Sequence, residues 1–439
     1  MERGTNGGEH PADPAPVPLT ATQEGMWFAE RLDPGRSGYH DAVTLHLVGP
    51  LDLAALRQAF LDCHHRHDAL RLRIQERGGR LTQTFDAAPP TWRTQDLTGL
   101  APDRQAADCR RRFALDCTEP FDLADGPLWR TRLLRLADEE HRLLIVLHHL
   151  MTDGWSHGVF LQSVLARYGA RLAGAPGPAA PAPSFRQWAL RRVAAENAPG
   201  ITDRARQAAT RLRTTPRRIA LPGLTGATGT RGGVLALPVE PDDLAAFDAA
   251  CASVRVSRFM AMTGLLAHLV GDLAGTPDLV VSAPVADRLT PEATQVLGCT
   301  INAVPIRFGP IASPADAAAA GRAAVVSALG LLDVPYREII RAAEPSFTTS
   351  LADPLTNVSC EEYSSPRGSW RLGGLTVTAL PRGEFQTRHD LLLSVPRDPG
   401  GGPELIYPVR RWQPDAVAAL AARLAALVRA FGHQVVGPR

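Results

Sequence analysis

A short segment rich in proline, alanine and glycine divides the 439-residue chain into two parts. Residues 173–183 read AGAPGPAAPAP, a composition typical of linkers. Helical and strand patterns alternate on both sides of it, which favours an α/β (or α+β) protein of two lobes. We therefore predict a disordered, Gly- and Pro-rich tail over residues 1–17, an N-terminal lobe over 18–172, the linker over 173–183 and a C-terminal lobe over 184–439.

The spacing of apolar residues predicts the elements of each lobe. Leu53, Leu56, Phe60 and Leu61 recur at about the helical period, so a helix is expected over 52–65. Alternation of apolar and polar residues predicts strands over 70–74 and 128–136. The same reasoning predicts helices over 160–172, 241–254, 259–273 and 415–431, and strands over 143–147, 231–238, 279–283 and 302–308.

All 47 basic residues are arginine, and this excludes chemistry that needs an amine side chain. A Schiff-base lysine for pyridoxal phosphate and a Gly-Lys-Ser/Thr phosphate loop are both impossible. The net charge of +2 gives no electrostatic case for nucleic acid or an anionic membrane as a partner. An uninterrupted run of 18 apolar residues is absent from the sequence, so we expect no membrane span.

The six cysteines and the N-terminal sequence indicate the cellular compartment in which the protein works. The cysteines are scattered, without a Cys-x-x-Cys pair, which is typical of free thiols in a reducing compartment. The N-terminal residues lack the apolar core of a signal peptide. We therefore expect a cytoplasmic protein.

The segment LHHLMTDGWS, residues 147–156, carries the strongest chemical signal. His148 and His149 end an apolar strand, where sites often form, and a histidine there can exchange a proton near neutral pH. Asp153 could orient a histidine or hold the turn through an ion pair, and Gly154 would supply backbone freedom. Local chemistry alone leaves open that the two histidines only cap the strand.

Two other segments resemble ligand sites less well. The cluster CHHRHD, residues 63–68, has metal-binding side chains, but it lies at a predicted helix end without a second cluster to complete a site. His148 and His149 are adjacent in a strand and point to opposite faces, which argues against zinc. The Gly-rich residues 226–233 lack the flanking strand and helix of a dinucleotide fingerprint. We predict neither a metal nor a bound cofactor.

The motif HHLMTDG resembles the His-His-x-x-x-Asp-Gly signature of condensation domains from non-ribosomal peptide synthetases, in the superfamily of chloramphenicol acetyltransferase. Further segments resemble other motifs of that family in the same order, so the resemblance extends over nearly the whole chain. They are PLTATQEGMWF (18–28), RHDALRLR (66–73), PFDLADGPLWR (120–130), SAPVADR (282–288), LGCTINAVPIR (297–307) and DVPYREI (333–339).

The resemblance implies two chloramphenicol acetyltransferase-like lobes arranged as a V, with a tunnel between them. It implies that His149 acts on the acceptor nucleophile, with His148 beside it, and that Asp153 pairs with Arg288 as a structural contact. Carrier proteins would deliver substrates on phosphopantetheine arms. We expect Trp155, Asn302 and Ser359 to line the tunnel.

The expected activity is the joining of a carrier-bound acyl thioester to an amine or a hydroxyl, in natural-product biosynthesis. The chain lacks an adenylation domain and a Gly-Gly-x-Ser carrier site, so we expect a free-standing enzyme served by acyl or peptidyl carrier proteins in trans, with a small amine or alcohol as acceptor. Leu332-Asp333 and DPLTNVS (353–359) depart from the family pattern on the acceptor side. An acyl-CoA-dependent acyltransferase and a catalytically silent docking module remain alternatives.

Overall fold

The computed structural model describes residues 16–32, 34, 38–177, 181–216, 218–344, 356–363, 368–381, 385–398 and 401–436. Most of the predicted tail therefore lies outside the described residues. Every helix and strand predicted above is present, with its ends shifted by a few residues. The mixed α/β, two-lobed fold class is confirmed.

The first part of the chain forms one lobe around a mixed sheet. Its elements, in chain order, are β1 (Val17–Pro18), α1 (Ala21–Leu32), β2 (His40–Val48), α2 (Leu53–Arg66), β3 (Leu72–Arg77), β4 (Arg80–Phe85), β5 (Trp92–Asp96), α3 (Pro102–Thr118), β6 (Trp129–Ala137), β7 (Glu140–His148) and α4 (Gly154–Leu172).

The second part forms the other lobe and also contributes segments to the first. Its elements are α5 (Phe185–Glu196), α6 (Ile201–Leu212), β8 (Gly232–Ala236), α7 (Pro241–Ser253), α8 (Arg258–Ala274), β9 (Leu279–Ala286), β10 (Ile301–Phe308), α9 (Pro314–Leu329), α10 (Tyr336–Ala343), β11 (Val358–Tyr363), β12 (Ser369–Leu372), β13 (Leu375–Ala379), β14 (Leu391–Pro396), β15 (Glu404–Pro408) and α11 (Pro414–Val436).

The strand order shows how the two lobes interlock. One six-stranded sheet has the order β12-β13-β2-β7-β6-β5 and the other β10-β9-β11-β14-β15-β8. Strands β12 and β13 follow the linker in sequence but join the first sheet, where Thr376 lies opposite Val48. The sequence predicted that all residues after the linker at 173–183 belong to the second lobe. Strands β12 and β13 are an exception to that prediction.

Helix α5 is a second exception. Phe185 and Trp188 are buried in the core of the first lobe, together with Leu297 and Cys299 from the loop before β10. The first core also contains Leu375 and the other apolar residues of β13 that pack on it. Segments that follow the linker therefore complete the core of the first lobe.

Helix α11 is long and apolar enough to cross a membrane by length and composition alone. Its apolar side chains, among them Leu424, Val428 and Phe431, are buried against α7 and α8 in the second core. This burial accounts for its composition.

Candidate active site

The chain turns sharply between β7 and α4, and this turn carries the His-His-x-x-x-Asp-Gly segment. Strand β7 ends at His148, and His149–Met151 form one turn of 3-10 helix. Asp153 is the N-cap of α4, because its carboxylate accepts a hydrogen bond from the backbone N–H of Ser156 at 2.8 Å. The five residues after β7 are thus fixed at both ends.

His148 faces the interior of the first lobe. Its ring is fully buried, and Nδ1 accepts a hydrogen bond from the backbone N–H of Leu150 at 3.0 Å. Burial lowers the pKa of His148 to about 4, although the nearby Glu30 carboxylate opposes the shift. His148 is therefore neutral at physiological pH and holds the turn that carries His149.

Asp153 and Arg288 form a buried ion pair between the lobes. The Arg288 Nη2 donates to the two carboxylate oxygens of Asp153 at 2.9 and 3.0 Å, and both side chains are at most 4% exposed. The backbone N–H and the hydroxyl of Thr300 donate to the same carboxylate at 3.0 and 2.8 Å. Burial alone would raise the pKa of Asp153, but Arg288 and these donors outweigh it and lower the pKa. The predicted ion pair is present.

The backbone explanation for Gly154 is wrong. Gly154 is the first residue of α4 and does not adopt a left-handed φ. A Cβ added there would lie 3.8 Å from Tyr363 Cδ2, an ordinary van der Waals distance. The turn gets its shape from hydrogen bonds of Asp153 and His148 and needs no special freedom at Gly154.

His149 reaches a cavity between the lobes. The cavity has a volume of about 380 Å³. Elements of both lobes line it, including β2 and α1 of the first lobe and β9, β10, β11 and α10 of the second. The His149 side chain is 20% exposed, against 0% for His148. Of the two motif histidines, His149 is the one that contacts this space.

Two of the three predicted tunnel residues line the cavity. Asn302 and Ser359 do so, but their polar groups are engaged: Asn302 Nδ2 donates to the carbonyl of Leu332 at 2.9 Å, and Ser359 Oγ to that of Ser282 at 2.9 Å. Trp155 is not among the described residues that line it. Its Nε1 instead donates to the carbonyl of Thr294 at 2.8 Å, across the lobe boundary. Trp155 therefore contacts the second lobe outside this cavity, which differs from the predicted tunnel position.

The departures from the family pattern lie on the second lobe. The carbonyl of Leu332 accepts from Arg192 Nη2 at 2.7 Å as well as from Asn302, so this residue acts through its backbone. Residues 353–355 of the other segment lie outside the described residues. Asn357, from the same segment, is buried and exchanges two hydrogen bonds with the backbone of Ile219.

Sequence analysis missed an acid that faces His149. The Asp41 Oδ2 lies 3.7 Å from Nε2 of His149 and 3.5 Å from Nε2 of His157. We call these three side chains, from β2, the turn and α4, the acid recess. On the other side of the His149 ring, Nδ1 lies 3.9 Å from the sulfur of the buried Cys299.

The acid recess changes the titration of His149. Burial of the ring lowers its pKa, but the carboxylate of Asp41, then Cys299 and Asp153, outweigh burial and raise the pKa of His149 to about 10. The imidazolium form is therefore favoured at neutral pH in the free protein. A base at this position must first lose that proton.

A second acid lies between two imidazoles on the opposite face of the sheet. Glu30, His40 and His148, here called the buried cluster, have ligand atoms within 4.8 Å of one another and so resemble a metal site. The proton positions argue against one. Nδ1 of His148 is an acceptor, so the neutral ring carries its proton on Nε2, the atom that faces Glu30 at 3.7 Å. A metal would need that nitrogen unprotonated.

The cluster at residues 63–68 serves packing and capping. Burial lowers the pKa of His67 to about 3, and its Nε2 lies 3.1 Å from Ser163 Oγ. The Asp68 carboxylate accepts hydrogen bonds from Ser184 Oγ at 2.6 Å and from the N–H of Phe185 at 2.9 Å, and so caps α5. The cluster therefore has a structural explanation.

Comparison with known proteins identifies the family to which this chain belongs. Residues 15–391 match the family model of the condensation domain. The phosphinothricin tripeptide synthetase PhsC of Streptomyces viridochromogenes is 32% identical over 365 residues, which are 80% of this chain and 33% of that synthetase. The chain thus spans about a third of the length of this relative.

Solved structures agree on the fold. An X-domain in complex with OxyB from teicoplanin biosynthesis superposes with a TM-score of 0.79 at 25% identity, covering 98% of this chain and 96% of the other. A starter condensation domain of rhizomide synthetase RzmA, bound to C8-CoA, also gives 0.79, at 19% identity and 95% coverage of both chains.

Proposed function

The chain belongs to the condensation domain family, and from this premise we propose that it joins an acyl group, held as a thioester on a carrier protein, to an amine or hydroxyl acceptor. Condensation domains are in general acyltransferases that form amide bonds, working with carrier domains that bear phosphopantetheine. The observation that carries the proposal is the position of His149, whose ring reaches the cavity between the lobes.

The proposed reaction is a single acyl transfer. The acceptor nitrogen or oxygen attacks the thioester carbonyl, a C–N or C–O bond forms, and the C–S bond breaks. The proton that the acceptor loses passes by way of His149 to the departing sulfur, which leaves as the free thiol of the arm. His149 acts as the base for this transfer, and such catalysis typically contributes about 10²–10⁴-fold to the rate.

Three residues act on the reaction indirectly, by holding His149 in position: His148, Asp153 and Arg288. The buried ring of His148 fixes the 3-10 turn, and the Asp153–Arg288 ion pair fixes the start of α4 against the second lobe. These contacts support a catalytic His149 because a base must be held within hydrogen-bond reach of its substrate.

The proposed partners follow from this chemistry. Acyl or peptidyl carrier proteins, in trans, deliver the donor on a phosphopantetheine arm, and a small amine or alcohol is the acceptor. We propose no nucleic acid and no membrane as partners. The six cysteines, all among the described residues, form no disulfide, which supports a cytoplasmic reaction in natural-product biosynthesis.

A docking function is the second candidate. The X-domain that superposes on 98% of this chain was solved in complex with OxyB. By analogy, this chain would recruit an enzyme to a synthetase without catalysing condensation itself. The analogy rests on fold, which is a weaker argument than a site.

A mass-spectrometric turnover assay separates these functions. The wild-type chain is incubated with carrier protein bearing acetyl, octanoyl or aminoacyl groups, and with matched primary amines and alcohols. The His149→Ala variant and the same acyl groups on coenzyme A run in parallel. We expect product from the carrier-bound donors, and none above background from the variant.

Each alternative predicts another result. Equal or faster turnover from coenzyme A would replace the carrier proposal with an acyl-CoA-dependent acyltransferase. Absence of product from every donor and acceptor, with carrier binding intact, would favour the docking module. Full activity of His149→Ala would refute the catalytic assignment.

A further inference from the structure

On the side of the second lobe, the cavity is lined by one face of the sheet that contains β9 and β11. Ser282 of β9 lies opposite Ser359 of β11, and Glu361 follows two residues further along β11. Alternate residues of a strand share a face, so Glu361 projects on the same side as Ser359, and all three residues line the cavity. Tyr336, the first residue of α10, also lines it. We call Ser282, Tyr336 and Glu361 the polar floor.

The polar floor contains three buried polar atoms without a hydrogen-bond partner. Among the described residues, nothing bonds to Oγ of Ser282, Oη of Tyr336 or Oε1 of Glu361. Ser282 is only 3% exposed. The neighbouring hydroxyl of Ser359, by contrast, donates to the carbonyl of Ser282 at 2.9 Å. A buried polar atom without a partner costs free energy, so three of them on one wall of a cavity indicate a ligand that supplies the missing hydrogen bonds.

Glu361 brings a negative charge to the cavity, and the arginines of the cavity wall contact other groups. Arg337 pairs with Glu24 of the first lobe. The guanidinium of Arg388 lies 4.6 Å from the centre of the Tyr39 ring. Burial lowers the pKa of Arg388 to about 10, and the charge of Glu361 does not offset that shift. The charge of Glu361 is thus left for a cation that a ligand brings.

We propose that the polar floor binds a basic group of the substrate, a guanidinium or an ammonium away from the reacting atoms, with Glu361 as its counter-ion. This inference rests on the proposed function and specifies a class of substrate for it. A guanidinium carries five N–H donors in one plane and a primary ammonium carries three, and neither accepts a hydrogen bond. Such a group can donate to the carboxylate of Glu361 and to the lone pairs of the Ser282 and Tyr336 hydroxyls at the same time.

The polar floor lies close to the motif turn without belonging to it. A Cβ added at Gly154 would lie 3.8 Å from Cδ2 of Tyr363, so the start of α4 meets β11 at this residue. Glu361 lies two residues before Tyr363 on the same face, which is about 7 Å along the strand. The bound basic group is therefore separated from the atoms that react at His149, and the expected substrate carries it at the end of a short chain.

Neutral polar groups fit the polar floor less well than cations do. A hydroxyl or an amide could complete one or two of the hydrogen bonds, but it brings no charge to offset that of a half-buried carboxylate. A charge-assisted hydrogen bond is roughly twice as strong as a neutral one. We therefore expect a cation to be preferred over its neutral isostere by about 10- to 100-fold.

Binding is measured first, with a probe that does not react. Butylguanidine is cationic at neutral pH and a poor nucleophile, and butylurea is its neutral isostere. The chain has five tyrosines, and their ring NMR signals are followed while each probe is added to the full chain. Tyr336→Phe and Tyr363→Phe assign the rings on α10 and β11. We expect butylguanidine to shift both signals saturably, with a Kd at least about tenfold below that of butylurea.

Substitutions in β11 make the test specific. Glu361→Gln removes the charge with little change of shape and should remove the advantage of butylguanidine over butylurea, whereas Glu361→Asp keeps the charge and should retain part of it. Glu362→Gln is the matched control, because Glu362 is the next residue of the strand, is exposed and projects from the other face. It should bind butylguanidine as the wild type does. Asp41→Asn tests the carboxylate of the acid recess and should leave the advantage in place.

Turnover then identifies which substrate carries the basic group. Carrier protein bearing a 4-guanidinobutanoyl group is compared with carrier bearing 4-ureidobutanoyl at a fixed acceptor, and 4-aminobutylguanidine is compared with 4-aminobutylurea at a fixed donor. We expect the guanidinium compound to be favoured in kcat/KM by about 10- to 100-fold in one of the two comparisons. Glu361→Gln should cancel that preference, and Glu362→Gln should keep it.

The outcomes separate the polar floor from the reaction. If butylguanidine and butylurea bind alike, if Glu361→Gln leaves their difference intact, or if Asp41→Asn alone abolishes it, the inference is overturned. If the difference depends on Glu361 but no donor yields product, the proposed function fails and the polar floor stands. If product forms and neither comparison favours the guanidinium, the function stands and the inference is refuted.

Discussion

The acid recess and the buried cluster have nearly the same composition on opposite faces of the β2–β7 pair. Each contains one carboxylate within 4 Å of two imidazole nitrogens: Asp41 for His149 and His157, Glu30 for His40 and His148. Yet the pKa of His149 is raised to about 10 and that of His148 is lowered to about 4. The same groups therefore give opposite protonation states.

The difference comes from the charged neighbours of each ring and from the direction of hydrogen bonds. His148 is fully buried and uses Nδ1 as an acceptor, and burial outweighs the attraction of Glu30. His149 remains partly exposed, and Asp41 is helped by Cys299 and Asp153 in stabilising the cation. Adjacent residues of one strand point to opposite faces, so a single step along β2, from His40 to Asp41, separates the two environments.

The largest expected effect separates the roles of the two motif histidines. His149→Ala should lower kcat by about 10²–10⁴-fold while the chain still folds. His148→Ala should destabilise the fold by about 1–3 kcal/mol, because the N–H of Leu150 loses its acceptor in a buried site. Single-turnover mass spectrometry and urea denaturation measure the two effects. Equal losses of activity and stability in both variants would contradict the distinction.

Removing Asp153 should weaken the turn that keeps the two histidines apart. Asp153→Ala leaves Arg288 buried without its carboxylate, which typically costs about 3–5 kcal/mol. Asp278→Ala is the control, since Asp278 and Arg307 form an exposed pair, with side chains 34% and 39% exposed; its loss should cost about 0–1 kcal/mol. Denaturation midpoints compare them, and equal shifts would refute a special role for the buried pair.

The sequence predicted those residues of the site that lie close to one another along the chain. His148, His149, Asp153 and Gly154 lie within one turn between a strand and a helix, so their order specifies their arrangement. Arg288 was predicted through the family resemblance, and the structure brings it to Asp153. Trp155, the residue after the motif, bonds to Thr294 and does not line the cavity, and its position in the sequence does not specify which way its ring points.

The acid recess could not be predicted because it depends on strand pairing. Asp41 lies near His149 because β2 pairs antiparallel with β7 and places His40 opposite His148. Nothing in the segment SGYHDAV identifies that partner. The crossing of β12 and β13 to the first sheet has the same cause, because local patterns predict a strand but not its neighbour.

Titration of His148 and His149 directly tests the difference between the buried cluster and the acid recess. Protonation of His148 is disfavoured in the folded state, so its contribution to stability is lost as the pH falls from 6.5 towards its pKa of about 4. The pKa of His149 is raised, so its contribution is present below 6.5 and is lost as the pH rises through about 10. Imidazole NMR should show His148 neutral and His149 charged at pH 7. Asp41→Asn should lower the pKa of His149 and leave that of His148 unchanged. A neutral His149 and a charged His148 in the wild type would contradict the difference between the two environments.

The smallest effect is expected at the motif glycine. Gly154→Ala should change the free energy of unfolding by less than about 1 kcal/mol, in the stabilising direction, because alanine favours a helix more than glycine does. Its Cβ meets Tyr363 only at 3.8 Å. Gly298→Ala is the contrasting control, since a Cβ there would lie 2.0 Å from Cδ2 of the buried Phe185, and overpacking should cost about 1–3 kcal/mol. Because Tyr363 lines the cavity, any effect of Gly154→Ala belongs to substrate binding and should appear in KM. A stability loss at Gly154 as large as that at Gly298 would mean that the turn itself requires glycine.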